Sequence, residues 1–122
     1  MNTVEKGERG ENTALNYLYT KGLKLIARNW RYRHYEIDLI MEDDLFVRII
    51  EIRSLTFPNI IEPQMTIRGQ KQKGLIIAAN KFVKINQIKK EIVFDVVSII
   101  FHNKEYKIDY IKNAFFPIWN TK

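Results

Sequence analysis

The spacing of apolar residues changes several times along the chain, and each change marks an element. Ala14, Leu15 and Leu18 recur at helical spacing within residues 7–21, and Gly22 stands where a left-handed residue would end that helix. From Leu23 to Arg33 the pattern becomes that of a strand. In RNWRYRHY, Asn29, Arg31, Arg33 and Tyr35 fall on one side and Trp30, Tyr32 and His34 on the other. Residues 36–54, EIDLIMEDDLFVRIIEIRS, read as two strands joined by a turn at Asp43 and Asp44. Pro58 and Pro63 mark residues 54–66 as a loop long enough to move over a substrate. Leu75, Ala78, Ala79 and Phe82 predict a second helix from Arg68 to about Lys84. Glu91 to Phe101 has the continuous apolar character of a central strand, and Lys104 to Ile111 adds an edge strand. NAFFPIW then closes one end of the core with Phe115, Phe116 and Trp119.

No repeat, low-complexity run or linker divides the 122 residues, so residues 1–122 are read as one α/β domain. A hydrophobic content of 46% is enough to close a single core and argues against disorder. The absence of cysteine excludes disulfides and thiolate metal sites. MNTVEKGERGENT carries charge where a signal peptide needs an apolar run, and no stretch approaches the roughly 18 apolar residues of a membrane span. A cytoplasmic protein with no membrane partner is expected.

The net charge of +6 makes a polyanion such as nucleic acid a candidate partner, and the placement of the charge narrows this further. Pro63 to Lys90 contains no acid but includes Arg68, Lys71, Lys73, Lys81, Lys84, Lys89 and Lys90. Lys21 to Tyr35 repeats the bias with Lys21, Lys24, Arg28, Arg31 and Arg33. An acidic island at residues 36–51 separates the two tracts. The plain alternative is a solvated surface of mixed charge. Arg28, Arg31, Arg33, Arg68, Lys71 and Lys73 are the candidate phosphate contacts, and Trp30 and Tyr32 are favoured as packing residues. His34 and His102 have no partner at metal-ligand spacing.

The acids inside the apolar hairpin carry the chemistry. With Asp43 and Asp44 as a two-residue turn, Asp38 faces Ile49 and Glu36 faces Glu51, so Asp38 and Glu51 become diagonal neighbours about 7–8 Å apart at the backbone. Arg53 shares their face, while Ile37, Leu39, Met41, Phe46, Ile50 and Ile52 form the other, interrupted by Arg48. Two carboxylates held that close repel unless a positive charge lies between them, supplied by a divalent metal or, in an ordinary charge network, by Arg53 and nearby lysines. Glu11 extends the stripe of Ala14, Leu15 and Leu18, where it serves either the site or the helix dipole. Gln72 extends the stripe of the second helix by one turn, and either orients a water or phosphate oxygen or satisfies a backbone group. Asp95, the one charge in its strand, is read as the partner of a nearby basic residue.

GERGENTALNYLYTKGLKLIARNWR, EIDLI, FVRIIEIRS, the EP and KQ of IEPQMTIRGQKQ, FDVVSII and IKNAFFP follow one another in an order that resembles the YraN-type family of small bacterial proteins. That family is assigned to the restriction-endonuclease-like PD-(D/E)XK superfamily and is similar to archaeal Holliday junction resolvases. The resemblance runs from about Gly7 to Pro117 and implies a restriction-endonuclease-like core, a mixed sheet flanked by helices. It implies Mg2+, or Mn2+, held by Asp38 and Glu51, with Glu11 assisting through metal or water and Gln72 orienting. The lysine of the family's E-x-K pair is replaced here by Arg53. A guanidinium stays protonated at any working pH, so Arg53 can stabilise phosphate charge but cannot accept a proton. The reading that follows is a metal-dependent endonuclease on branched or irregular DNA. The alternative is a nuclease-derived module that binds nucleic acid or protein without cutting. Paired subunits in the similar resolvases add a homodimer to the expectation.

Overall fold

The computed structural model describes residues 3–58 and 69–116, with side chains from Gly7 onward. Arg68, Trp119 and most of the expected 54–66 loop lie outside the described residues. The elements follow in the order α1 (Thr3–Thr20), β1 (Lys24–Tyr32), β2 (Tyr35–Glu42), β3 (Phe46–Thr56), α2 (Gly69–Asn86), β4 (Glu91–His102) and β5 (Glu105–Phe115). The five strands form one sheet in the order β1-β2-β3-β4-β5. β3 runs parallel to β4 and the remaining neighbours are antiparallel, so α2 is the crossover between the two central strands.

Each helix buries its apolar stripe on a different face of the sheet. Ala14, Leu15 and Leu18 of α1 pack on Leu39, Met41, Ile50, Val97, Ile99 and Phe101. Leu75, Ala78, Ala79 and Phe82 of α2 pack on Ile37, Ile40, Val47, Ile49 and Phe94. The result is the mixed sheet with flanking helices that the sequence predicts, consistent with a restriction-endonuclease-like fold. Gly22, at φ 86°, ends α1: its N–H bonds Tyr19 O and the Leu23 N–H bonds Leu18 O. No helix among the described residues is long and apolar enough to cross a membrane.

Three local expectations are corrected. The β2–β3 turn lies at Asp44-Leu45, one residue later than predicted, because Asp43 Oδ1 accepts the N–H groups of Leu45 and Phe46. Leu39 therefore pairs with Ile50 and Ile40 with Ile49. This two-residue shift leaves Asp38 and Glu51 on their predicted face but brings them level rather than diagonal. The alternation of RNWRYRHY also breaks: Arg33 is left-handed at φ 57°, and Tyr32 pairs with Tyr35 across an Arg33-His34 turn. Upstream, the left-handed Asn29 disturbs the pleat, and Ile37 joins the α2 side although Leu39 and Met41 lie on the α1 side. In the C-terminal segment β5 continues to Phe115, which stacks on Phe94 at 4.9 Å, while Phe116 is exposed rather than a core plug.

Candidate active site

Asp38 sits where the β2–β3 ladder ends. Its Oδ2 accepts the Ile52 N–H at 2.8 Å, replacing the backbone carbonyl that a continued ladder would have offered. That bond turns the carboxylate towards β3, the strand that carries Glu51. Glu51 alternates with the buried Val47 and Ile49 and therefore projects to the α2 side, where Lys71 Nζ lies 3.5 Å from its Oε1. Only 7% of Glu51 is exposed, and its Oε2 is buried without a hydrogen-bond donor among the described residues.

Electrostatics couples the two acids. Burial pushes Glu51 up to about 8, and the neighbouring Asp38 charge adds to the shift while Lys71 opposes it. Burial also raises Asp38, against the lowering effects of the Ile52 N–H, a hydrogen bond with Glu51 and the Lys71 charge. Burial and the adjoining Asp38 charge thus favour a protonated Glu51 at neutral pH. A donor-less buried oxygen beside a second carboxylate can be satisfied in two ways, by such a proton or by a cation.

The donor set suits a small hard cation. Among the described residues no three His, Cys, Asp or Glu side chains gather as a metal cage. Mg2+ is commonly held by one or two carboxylates, with water and substrate phosphate completing its shell, and Asp38 with Glu51 is such a set. Ser98, 1% exposed, brings a second unpartnered buried oxygen to the neighbourhood, since β4 pairs Val96 with Glu51 and Ser98 with Arg53.

Residues 10–99 match the model of the Uncharacterised protein family UPF0102. The chain belongs to UPF0102. A UPF0102 protein of Bacteroides thetaiotaomicron is 33% identical over 113 residues, covering 93% of each chain. One from Thermodesulfovibrio yellowstonii is 34% identical over 95% of this chain and 100% of its own. One from Coxiella burnetii is 37% identical over 92% of each. The part matching the UPF0102 model includes Glu11, Asp38, Glu51, Arg53 and Gln72.

The other predicted residues of this UPF0102 chain are placed as follows. Glu11 is tied down by β1: its Oε1 accepts Arg28 Nε at 2.8 Å and Asn29 Nδ2 at 3.0 Å. Asn29 lies across from Asp38, between the pairs Arg28↔Leu39 and Trp30↔Ile37, so the Glu11 partner sits on the strand next to Asp38. Gln72 is half-buried in the first turn of α2, next to Lys71, and Arg53 is half-buried on β3 two residues after Glu51. The candidate phosphate contacts are scattered. Arg28 bonds Glu11 and Asn12, Arg31 pairs with Glu36 at 2.7 Å, and Arg33 lies over the Tyr32 ring. Trp30 packs edge-on to Phe82, as a core residue should.

The sequence reading allowed for nearby lysines beside the pair without singling one out, and Lys71, named there as a phosphate contact, is the one that lies against Glu51. A signal for it was present: Lys71, Leu75, Ala78 and Phe82 form a stripe at i, i+4, i+7 and i+11, with Lys71 on its first turn. Asp95 meets its expectation. Its oxygens accept Arg48 Nη1, Tyr110 Oη and the Asn113 N–H, on the α1 side and away from the carboxylate pair.

Proposed function

We propose that this chain is an endonuclease that hydrolyses phosphodiester bonds in DNA, branched or irregular DNA above all, with Mg2+ or Mn2+ held by Asp38 and Glu51. One observation carries the reading: a buried Glu51 oxygen without a donor faces a second carboxylate. An ordinary structural ion pair would leave no such oxygen. When bound, the cation would neutralise charge on the scissile phosphate and acidify the attacking water.

The chain's own residues supply the rest. Asp38 is oriented by the Ile52 N–H, so it meets the cation without reorganisation. Glu51 would hold the cation as a carboxylate, its proton released to solvent. Arg53 stabilises negative charge on the phosphate, and Gln72 orients a water or phosphate oxygen. Glu11 positions Asn29 and Arg28 at the rim. Lys71 and Lys73, on the first turns of α2, draw the strand towards the pair. Arg31 and Arg33 offer further contacts, since exposed pairs such as Arg31–Glu36 exchange partners at little cost.

Lys71 also favours a second reading. Its ammonium, 3.5 Å from Glu51, can serve as the positive charge the pair requires, giving a module that binds nucleic acid without cutting. The test is incubation with duplex, single-stranded and four-way-junction DNA in Mg2+, Mn2+ or chelator, for the natural chain, Glu51→Gln and Arg53→Lys. Metal-dependent nicking, lost in Glu51→Gln and kept or increased in Arg53→Lys, supports the enzyme. Salt-sensitive binding without nicking under every metal condition supports the module.

A further inference from the structure

A hollow of about 640 Å3 opens beside the carboxylate pair, between the β1–β2 turn and the first turns of α2. Its walls include His34, Tyr35, Glu36, Lys71, Lys73 and Gly74. We infer that this hollow holds one unpaired nucleotide of the bound strand, its base against the His34 ring that Tyr35 backs and its phosphates towards Lys71 and Lys73. The inference rests on the nucleic-acid reading above and names the form of strand that the site takes.

Four observations support it. The volume is that of a small-molecule site, within the roughly 300–1,000 Å3 that such pockets span. The rings of His34 and Tyr35 lie against each other, with centroids 4.0 Å apart at 40°, so Tyr35 backs the exposed His34 ring, whose outer face is left for a further ring. Bases stack on such faces irrespective of sequence. The opposite wall is cationic: Lys71 and Lys73 belong to a helix start with no acid in its first turn, where the dipole also favours an anion. Glu36, the one acid among the described residues lining the hollow, is paired with Arg31 at 2.7 Å, so it does not repel a phosphate at full charge.

Lys71 connects the two places. It lines the hollow and also lies 3.5 Å from Glu51 Oε1, so a phosphate it contacts adjoins the proposed cation. A base stacked within a duplex cannot lay its face on His34, whereas a base at a junction, flap or single-stranded stretch can. Gly74 lets the wall form: a Cβ there would lie 2.6 Å from the Tyr35 ring, so only glycine allows α2 to approach Tyr35 this closely. An aromatic wall together with lysines favours a nucleotide over an acidic peptide, which would use the lysines alone.

The experiment uses the full chain in chelator, where nothing is cut. Fluorescence anisotropy would compare single-stranded DNA, a duplex with a three-nucleotide bulge and a perfect duplex, each with one 2-aminopurine. Binding to the first two should be about tenfold tighter than to the duplex, within the range expected for stacking one base, with a change in 2-aminopurine emission. His34→Ala should remove both the preference and the emission change, His34→Phe should restore them, and Lys73→Ala should weaken the single-stranded and bulged substrates more than the perfect duplex. Equal binding of all three, a preference that survives His34→Ala, or displacement of DNA by a polyglutamate peptide at matching concentration would overturn the assignment. Repeating the series in Mg2+ and Mn2+ separates the two claims. Cleavage indifferent to His34→Ala sinks the nucleotide hollow alone, and strand preference without cleavage in any metal sinks the endonuclease alone.

Discussion

Lys71 Nζ and Glu51 Oε1 stand 3.5 Å apart, joining the start of α2 to the central strand at the carboxylate pair. The ammonium end is half exposed, so a water-like dielectric applies, and a unit charge at this range is worth about 1 kcal/mol, or roughly 0.7 of a pKa unit. Lys71 therefore helps remove the Glu51 proton that a cation must displace. In Lys71→Met, the pH at which Mg2+ affinity reaches half its plateau should rise by roughly 0.5–1 unit, while Lys71→Arg should leave it in place. Calorimetric Mg2+ titrations from pH 6 to 10 read this directly. An unmoved midpoint in Lys71→Met would show that the ammonium does not act on the pair.

The same carboxylates set a pH dependence of stability. Both acids are raised in the folded protein, Glu51 from the ordinary 4.5 to about 8, so below the ordinary range neither state gains from losing a proton. As pH rises from about 4.5 towards 8, the unfolded chain releases a proton that the folded chain retains, and stability falls by up to about 1.4 kcal/mol per unit. Urea denaturation of metal-free protein should show this decline between pH 5 and 8. Glu51→Gln should flatten it and be the more stable protein at pH 8. Mg2+ should restore the natural chain at high pH and leave the Gln variant unchanged.

Much of this arrangement was legible before any fold was known, because strand alternation and helical stripes depend on periods that survive small errors in boundaries. The hairpin illustrates the point. A turn misplaced by one residue moved the register by two, and since side chains alternate with period two, Asp38 and Glu51 stayed on their predicted face. The turn itself was not legible: the doublet Asp43-Asp44 resembles a loop, and only the Asp43 carboxylate capping Leu45 and Phe46 moves it onward to an exposed leucine. The His34–Tyr35 wall was hidden for the same reason, since the left-handed Arg33 breaks a segment that alternates without fault in the sequence. Contacts between distant residues, such as Arg48 with Asp95, depend on strand order, and pattern alone does not determine which strands become neighbours.

That ion pair carries its own prediction. Arg48 is 5% exposed and Asp95 1%, and Asp43, Tyr110 and the Asn113 N–H complete the network at the far side of the sheet. Removing one partner leaves the other charged and buried, so Asp95→Ala should cost about 3–5 kcal/mol. Tyr110→Phe, which removes a single hydrogen bond to a charged group, should cost about 1.5–3 kcal/mol. Because Glu51 projects to the opposite face, Tyr110→Phe should bind Mg2+ with unchanged affinity. Chemical denaturation beside Mg2+ calorimetry checks both statements, and a loss of metal binding in Tyr110→Phe would contradict the separation of the two networks.

Gly74 and Tyr35 offer a test of the packing beside the site. A methyl at position 74 would meet the ring at 2.6 and 3.0 Å, and an aromatic ring held between α2 and β2 yields less readily than a flexible chain end. In an open helix interior, Gly→Ala gains about 1 kcal/mol of helix propensity. Overpacking costs about 1–3 kcal/mol, so at this position the clash should prevail. Gly74→Ala should lower stability by about 1 kcal/mol in the natural chain, yet raise it by a similar amount once Tyr35→Ala has removed the ring. A double-mutant cycle by urea denaturation measures the coupling, expected at about 2 kcal/mol. Additive effects would mean that α2 can retreat from Tyr35 without penalty, and the His34 ring would then lack the rigid backing against which a base could stack.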